Sequence, residues 1–185
     1  MTDSSILPKD ADLIDQIATQ QRVSESKSTP LIIGIVAGEV SGDSLGADFM
    51  QQMNKLRDDI VWVGVGGTKM QAQGLKSIFP LERLAVMGLV EVMSQLPDLF
   101  KARRELLSEF KTAGIDWFIG VDAPDFNLRV SKKLKPKGVF CVQYVSPSIW
   151  AWRESRIHGI KTAPHLLLCL FPFELPVYER HNHPA

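Results

Sequence analysis

The sequence predicts an α/β fold with a doubly wound, mainly parallel sheet. Continuous apolar runs of strand length recur along the chain, as strands covered on both faces require. Between them lie segments with helical apolar spacing, and strand alternating with helix is the pattern of parallel crossover units. Several of the runs end abruptly in glycine or in carboxylate, proline and amide residues. In an open α/β sheet, the carboxyl ends of the strands are where ligands bind.

The 185 residues, 45% hydrophobic and 23% charged, have the make-up of an ordinary globular chain with room for one sizeable core. Lys and Arg number 21, as do Asp and Glu, so no net field recruits nucleic acid or an anionic surface, and such binding needs a local patch. Cys141 and Cys169 are too far apart for a metal-binding pair or a redox motif and read as small buried hydrophobes. No apolar run reaches membrane-spanning length and no secretory signal opens the chain. A cytosolic protein is expected.

Taken in order, Met1 to Thr29 is polar and predicts a flexible extension, and residues 30–185 predict one domain. Leu31 to Ala37 is the first, central strand. A glycine-rich stretch, Gly38 to Gly46, is expected as a turn leading into a helix from Ala47 to Leu56. Strand, glycine turn and helix in that order can present backbone N–H groups to an anionic or polyhydroxylated ligand, though Glu39 reads equally as a turn or capping residue. The string matches no phosphate loop, no dinucleotide fingerprint and no nucleophile elbow. A second strand, Ile60 to Val65, ends in Gly66 and Gly67, which permit either a tight turn or a close ligand. A short helix follows at Met70 to Gln73.

The segment from Leu84 to Phe100 is unusually apolar. A helix over Val86 to Leu96 would gather Val86, Leu89, Val90, Met93 and Leu96 on one broad face, with Met87 beside it. Lys101, Arg103 and Arg104 follow directly. A membrane-docking face, a buried helix and a homodimer contact all fit this pattern. A further helix from Pro97 to Lys111 is expected to turn Leu99, Phe100, Leu106, Leu107 and Phe110 inward. The strand beginning at Trp117 then ends in Asp122-Ala123-Pro124-Asp125-Phe126-Asn127, expected as a turn before a basic helix, Leu128 to Leu134. Strands at Gly138 to Val145 and Leu166 to Leu170 complete the sheet. Between them, in the stretch that opens at Ser146, Trp150 and Trp152 with Arg153 behind them are suited to stack on and hydrogen-bond a ring-shaped ligand, or to anchor a loop. The final residues, with His181 and His183, are expected to fray and not to hold a metal.

Six strings together resemble lipid-A-disaccharide synthase: GEVSGD at Gly38–Asp43, VGVGG at Val63–Gly67, LAVMGLVEV at Leu84–Val92, DAPDFN at Asp122–Asn127, YVSPSIWAWR at Tyr144–Arg153, and FPFE at Phe171–Glu174. The resemblance runs from about Leu31 to the end. It implies an inverting, metal- and cofactor-free glycosyltransferase of the two-Rossmann-domain (GT-B) type, peripheral to the inner face of the Gram-negative inner membrane. Such an enzyme joins UDP-2,3-diacylglucosamine to 2,3-diacylglucosamine 1-phosphate, giving the β-1,6-linked lipid A disaccharide and UDP. By matching motif, Asp122 is the candidate base and Glu39 a second carboxylate that orients the acceptor or tunes Asp122. Ser41, Gly42, Asp43, Gly66, Gly67, Asp125, Asn127, Ser146, Trp150 and Arg153 are acceptor-side candidates. The apolar segment becomes the membrane and acyl-chain surface.

The family pattern continues into a second, donor-binding domain beyond these residues, so the chain is expected to carry the acceptor half of the cleft and to be inactive alone. A homodimer or a separately encoded second domain are the partners considered. The alternative is a non-catalytic lipid-sugar or partner-binding module. A dinucleotide oxidoreductase is disfavoured, because neither glycine turn has the required spacing.

Overall fold

The computed structural model describes residues 29–85, 92–149 and 154–185, without the side chains at 85 and 92–96. Six parallel strands form one sheet: β1 (Leu31–Ala37), β2 (Ile60–Val65), β3 (Lys76–Ser77), β4 (Trp117–Val121), β5 (Phe140–Tyr144) and β6 (Leu166–Leu168). Their order is β3-β2-β1-β4-β5-β6. The chain therefore winds outward from β1 in one direction, then returns to build β4 to β6 on its other side. The reversal leaves a crevice between the carboxyl ends of β1 and β4. In the β1–β4 ladder, Ala37 stands opposite Val121, so the residues after each strand emerge side by side.

Alternation along β1 feeds two cores. Ile33, Ile35 and Ala37 pack with Ala47, Met50, Met70, Ile119 and Val121 on one face, covered by α1 (Val40–Leu56) and α2 (Thr68–Ala72). Val36 packs with Leu106, Phe110, Phe118 and Val130 on the other. There α4 (Val92–Ala113) and α5 (Pro124–Leu134) cover the sheet, while α3 (Glu82–Ala85) is tied to α4 by Arg83, which donates to Asp98 at 2.9 Å and to Glu105 at 2.7 Å. A third cluster, around Ile149, Ile157, Leu167 and Tyr178, closes the β6 end with α6 (Ile157–Lys161) and α7 (Leu175–Arg180).

The sequence-based boundaries need four corrections. First, α1 starts at Val40, not Ala47, so Ser41, Gly42 and Asp43 are helical. The glycines there serve packing: a Cβ at Gly46 would lie 2.7 Å from Met70 Sδ. Second, α5 starts at Pro124, so Asp125 and Asn127 are helical too. Proline favours a first helical turn, where its missing N–H has no partner to lose. Third, α4 runs through Pro97 instead of starting there. Among its described side chains, Ala102, Leu106 and Phe110 are the buried ones, and Phe100 is 47% exposed. Spacings of four from Ala102 put Phe100 off the inner face. Fourth, the carboxyl end does not fray. Leu167 N donates to Pro184 O at 3.0 Å and His183 is buried near the Tyr178 ring. The short strand β3 was not anticipated, because two residues carry no readable period. Val86, Met87, Leu89 and Val90 lie outside the described residues, as do Trp150 and Arg153.

Candidate active site at the carboxyl edge of the sheet

The crevice between β1 and β4 is closed at its base by a steric interlock. Asp122 and Ala123 leave β4 in the left-handed region, with φ of 53° and 39°. Aspartate tolerates that conformation, but alanine incurs roughly 1–2 kcal/mol there. Ala123 can occupy its place because the facing residue is Gly38, where a Cβ would stand only 2.2 Å from Ala123 Cβ. Backbone bonds hold the turn from outside: Asp122 N donates to Tyr144 O at 2.8 Å, and Asn127 N donates to Ala123 O at 3.0 Å.

That turn brings two carboxyl groups together. Glu39 precedes α1 in extended conformation, and its carboxylate accepts from the Ser41 hydroxyl. The Asp122 carboxyl is hydrogen-bonded to Glu39, which leaves the two residues unlike. Ser41 first, then Asp122, holds Glu39 below the ordinary glutamate range. Burial first, then the Glu39 hydrogen bond and charge, raises Asp122 above the ordinary aspartate range, against a smaller opposing effect of the Ala123 N–H. A raised proton affinity on a half-buried carboxylate at a crevice suits a proton acceptor.

The other candidates divide by what they touch. Asn127 is fully buried and donates to Asp122 O at 2.9 Å, supporting the turn from beneath. Asp43 is also buried. Its carboxylate accepts from Gly67 N at 2.8 Å, Lys69 N at 3.1 Å and Met70 N at 3.1 Å, so it fixes the start of α2. A Cβ on Gly67 would lie 2.6 Å from Asp43 Oδ2; the close approach served by this glycine is to Asp43. Gly66 and Gly67 line a groove with Gln71, Ser77 and Phe79, beside the crevice. Gly42 packs on Ala37 and Val121 O. Asp125 lies in the first turn of α5 and is paired with Arg156. Ser146 is buried against Tyr178, with 2.7 Å between the hydroxyl oxygens.

Sequence reasoning missed Gln143, a fully buried amide in β5 that reaches Asp122 O at 3.0 Å. Its signal was present: one uncharged polar residue inside an apolar strand run. Arg156 and Tyr178 were also passed over, since their partners lie 31 and 32 residues away. Among the described residues, no group of three His, Cys, Asp or Glu side chains is placed to hold a metal ion, and no helix is long and apolar enough to cross a membrane.

Fold and site together define a Rossmann-like α/β domain with its polar chemistry at the strand ends. A family model described as lipid-A-disaccharide synthetase matches residues 33–185. Lipid-A-disaccharide synthase of Vibrio cholerae serotype O1 is 52% identical over 156 residues, covering 84% of this chain and 41% of the relative. The protein of the same name from Azotobacter vinelandii is 53% identical over 155 residues, again 84% of this chain and 41% of the relative. The Pseudoalteromonas translucida protein gives 53%, with 84% and 40% covered. The chain belongs to the lipid-A-disaccharide synthetase family and spans about 41% of the length of these relatives.

The unlike carboxyl pair predicts a pH-dependent stability. Because the fold raises the proton affinity of Asp122, stability from its neutral form is complete below the ordinary aspartate range, about pH 3.9, and is lost as pH rises through the folded-state value. Asp122→Asn is neutral throughout. It should raise the Tm near pH 7, with the difference vanishing by about pH 3. Calorimetry at the two pH values checks this; a lower Tm near pH 7 would contradict it.

Proposed function

We propose that this chain supplies the acceptor side of a glycosyl transfer in lipid A biosynthesis. UDP-2,3-diacylglucosamine is the donor and 2,3-diacylglucosamine 1-phosphate the acceptor. The observation that carries the reading is the Glu39–Asp122 pair in the β1–β4 crevice, within a chain whose relatives are named for disaccharide synthesis. The acceptor's 6-hydroxyl donates to the Asp122 carboxylate. Its oxygen attacks the anomeric carbon from the side opposite UDP, the proton passes to Asp122, and the bond to UDP breaks with its electron pair leaving on the diphosphate. Attack and departure on opposite sides invert the centre and give the β-1,6 linkage.

Glu39, held by Ser41, raises the basicity of Asp122 and orients the acceptor. Asn127 secures the Asp122 turn, and Asp43 sets the Gly66–Gly67 loop along the acceptor's path. Asp125, paired with Arg156, and the buried Ser146 lie on the far side; Trp150 and Arg153 remain acceptor-side candidates by motif. The remaining family length contributes the donor half, as a second domain. Asp122→Asn, in a protein carrying these residues with that remaining length, is expected to lower turnover by about 10²- to 10⁴-fold while leaving KM for the acceptor little changed. UDP release at the unaltered rate would remove Asp122 from the role of base. Acceptor binding without any turnover in the unaltered protein would favour a binding module.

Both substrates in this reading carry acyl chains, so the chain works at the cytoplasmic surface of the inner membrane. Support comes from the apolar sequence at 86–96 and from the turn of α4 that follows Leu96. Phe100 is exposed there with the Arg103 guanidinium 5.0 Å from its ring centroid, and both border a shallow groove with Arg104, Leu107 and Lys133. Apolar and basic groups together suit an anionic lipid surface. Replacing Arg103 and Arg104 with glutamine is expected to weaken binding to phosphatidylglycerol vesicles by on the order of tenfold in a sedimentation assay. Unchanged binding would place the contact elsewhere.

A further inference from the structure

Gln143 stands in the middle of β5 with no exposure to solvent, and burying an amide is costly unless it is hydrogen-bonded. Its Nε2 donates to Asp122 O at 3.0 Å, with longer approaches to Val145 O at 3.3 Å and Tyr144 O at 3.4 Å. Asn127 Nδ2 donates to the same Asp122 oxygen at 2.9 Å. Two amides from different elements thus converge on one carbonyl and use both of its acceptor sites.

Two of the carbonyls so reached, those of Asp122 and Val145, belong to residues in the left-handed region, and Ala123 follows Asp122 directly. Asp122, Ala123 and Val145 have φ of 53°, 39° and 75°; for a β-branched residue such as Val145 this is a genuine outlier. Such conformations persist only where the surroundings over-determine them. Gly120 makes the arrangement sterically possible, since a Cβ there would lie 2.9 Å from Gln143 Oε1 and 2.6 Å from Asn127 Cβ. Both amides also leave their own oxygens without a partner among the described residues. Their orientation is set by what they donate to.

We propose that Gln143 is a positioning residue: by holding the Asp122 carbonyl, and with it the left-handed exits of β4 and β5, it aims the Asp122 carboxyl at Glu39 and the crevice. Asp122 is anchored through its backbone, so its Cα–Cβ bond keeps its direction at the strand end. This rests on the assignment of Asp122 and Glu39 as the working pair.

The test is a carboxyl titration by carbon-detected NMR on the 185-residue chain, with Asp122→Asn used to assign the resonance. In Gln143→Met, which keeps the length but loses the donor, Asp122 should titrate measurably lower than in the unaltered chain, toward the ordinary aspartate range. Cys141→Ala, buried two residues earlier on the same strand, should lower the Tm and leave that titration in place. Gln143→Asn keeps the amide one methylene short of Asp122 O; it should give the same shift and carries the test should Gln143→Met fail to fold. Wild-type titration in the Gln143 variants, or an equal shift in Cys141→Ala, would overturn the proposal. Glu39→Gln separates the two layers: an unmoved Asp122 there contradicts the carboxyl pair itself, whatever Gln143 does.

Discussion

Ala123 and Gly38 lie so close at the carboxyl edge of the sheet that a methyl group on one leaves no room for a methyl group on the other. The site depends on this contact. It lets the residues after β4 enter the left-handed region directly beside the residues after β1, and it sets Asp122 against Glu39. The parallel register delivers Ala37 and Val121 to the same level, but register alone would not turn the two carboxyl groups toward one another.

Holding that arrangement costs conformational energy at Asp122, Ala123 and Val145, and the compensation comes from the surrounding fold. Asn127 and Gln143 donate to the Asp122 carbonyl, Tyr144 O accepts from its N–H, and Pro124 starts α5 immediately afterward. The same low-polarity setting that makes these bonds effective also raises the proton affinity of Asp122. Strain, buried amides and a perturbed carboxylate are therefore one feature seen from three sides. Concentrations of this kind mark functional sites more often than plain structure.

Much of the fold was legible in the sequence because the central strands are covered on both faces and read as unbroken apolar runs. Leu31–Ala37 and Ile60–Val65 could be placed to the residue. Helix starts were less legible. Glycine and proline ordinarily announce turns, yet Gly42 and Gly46 lie inside α1 to admit the sheet and Met70, and Pro124 opens a helix. Within the candidate site, the strand-end position of Asp122 could be read locally, and the role proposed for it came from the motif resemblance. Its dependence on Gln143 could not be read, because 21 residues separate the two and only the β4–β5 pairing brings them together. The engagement of Asp43 with the α2 backbone was hidden for the same reason.

In the proposed reaction the crevice between β1 and β4, with Glu39 and Asp122 on its walls, receives the acceptor sugar. Amide chemical-shift mapping on this chain, with diacylated glucosamine 1-phosphate in detergent micelles and empty micelles as reference, tests it directly. The largest acceptor-dependent changes are expected at Glu39 to Ser41 and Asp122 to Asp125. Changes confined to surfaces away from these strand ends would contradict it.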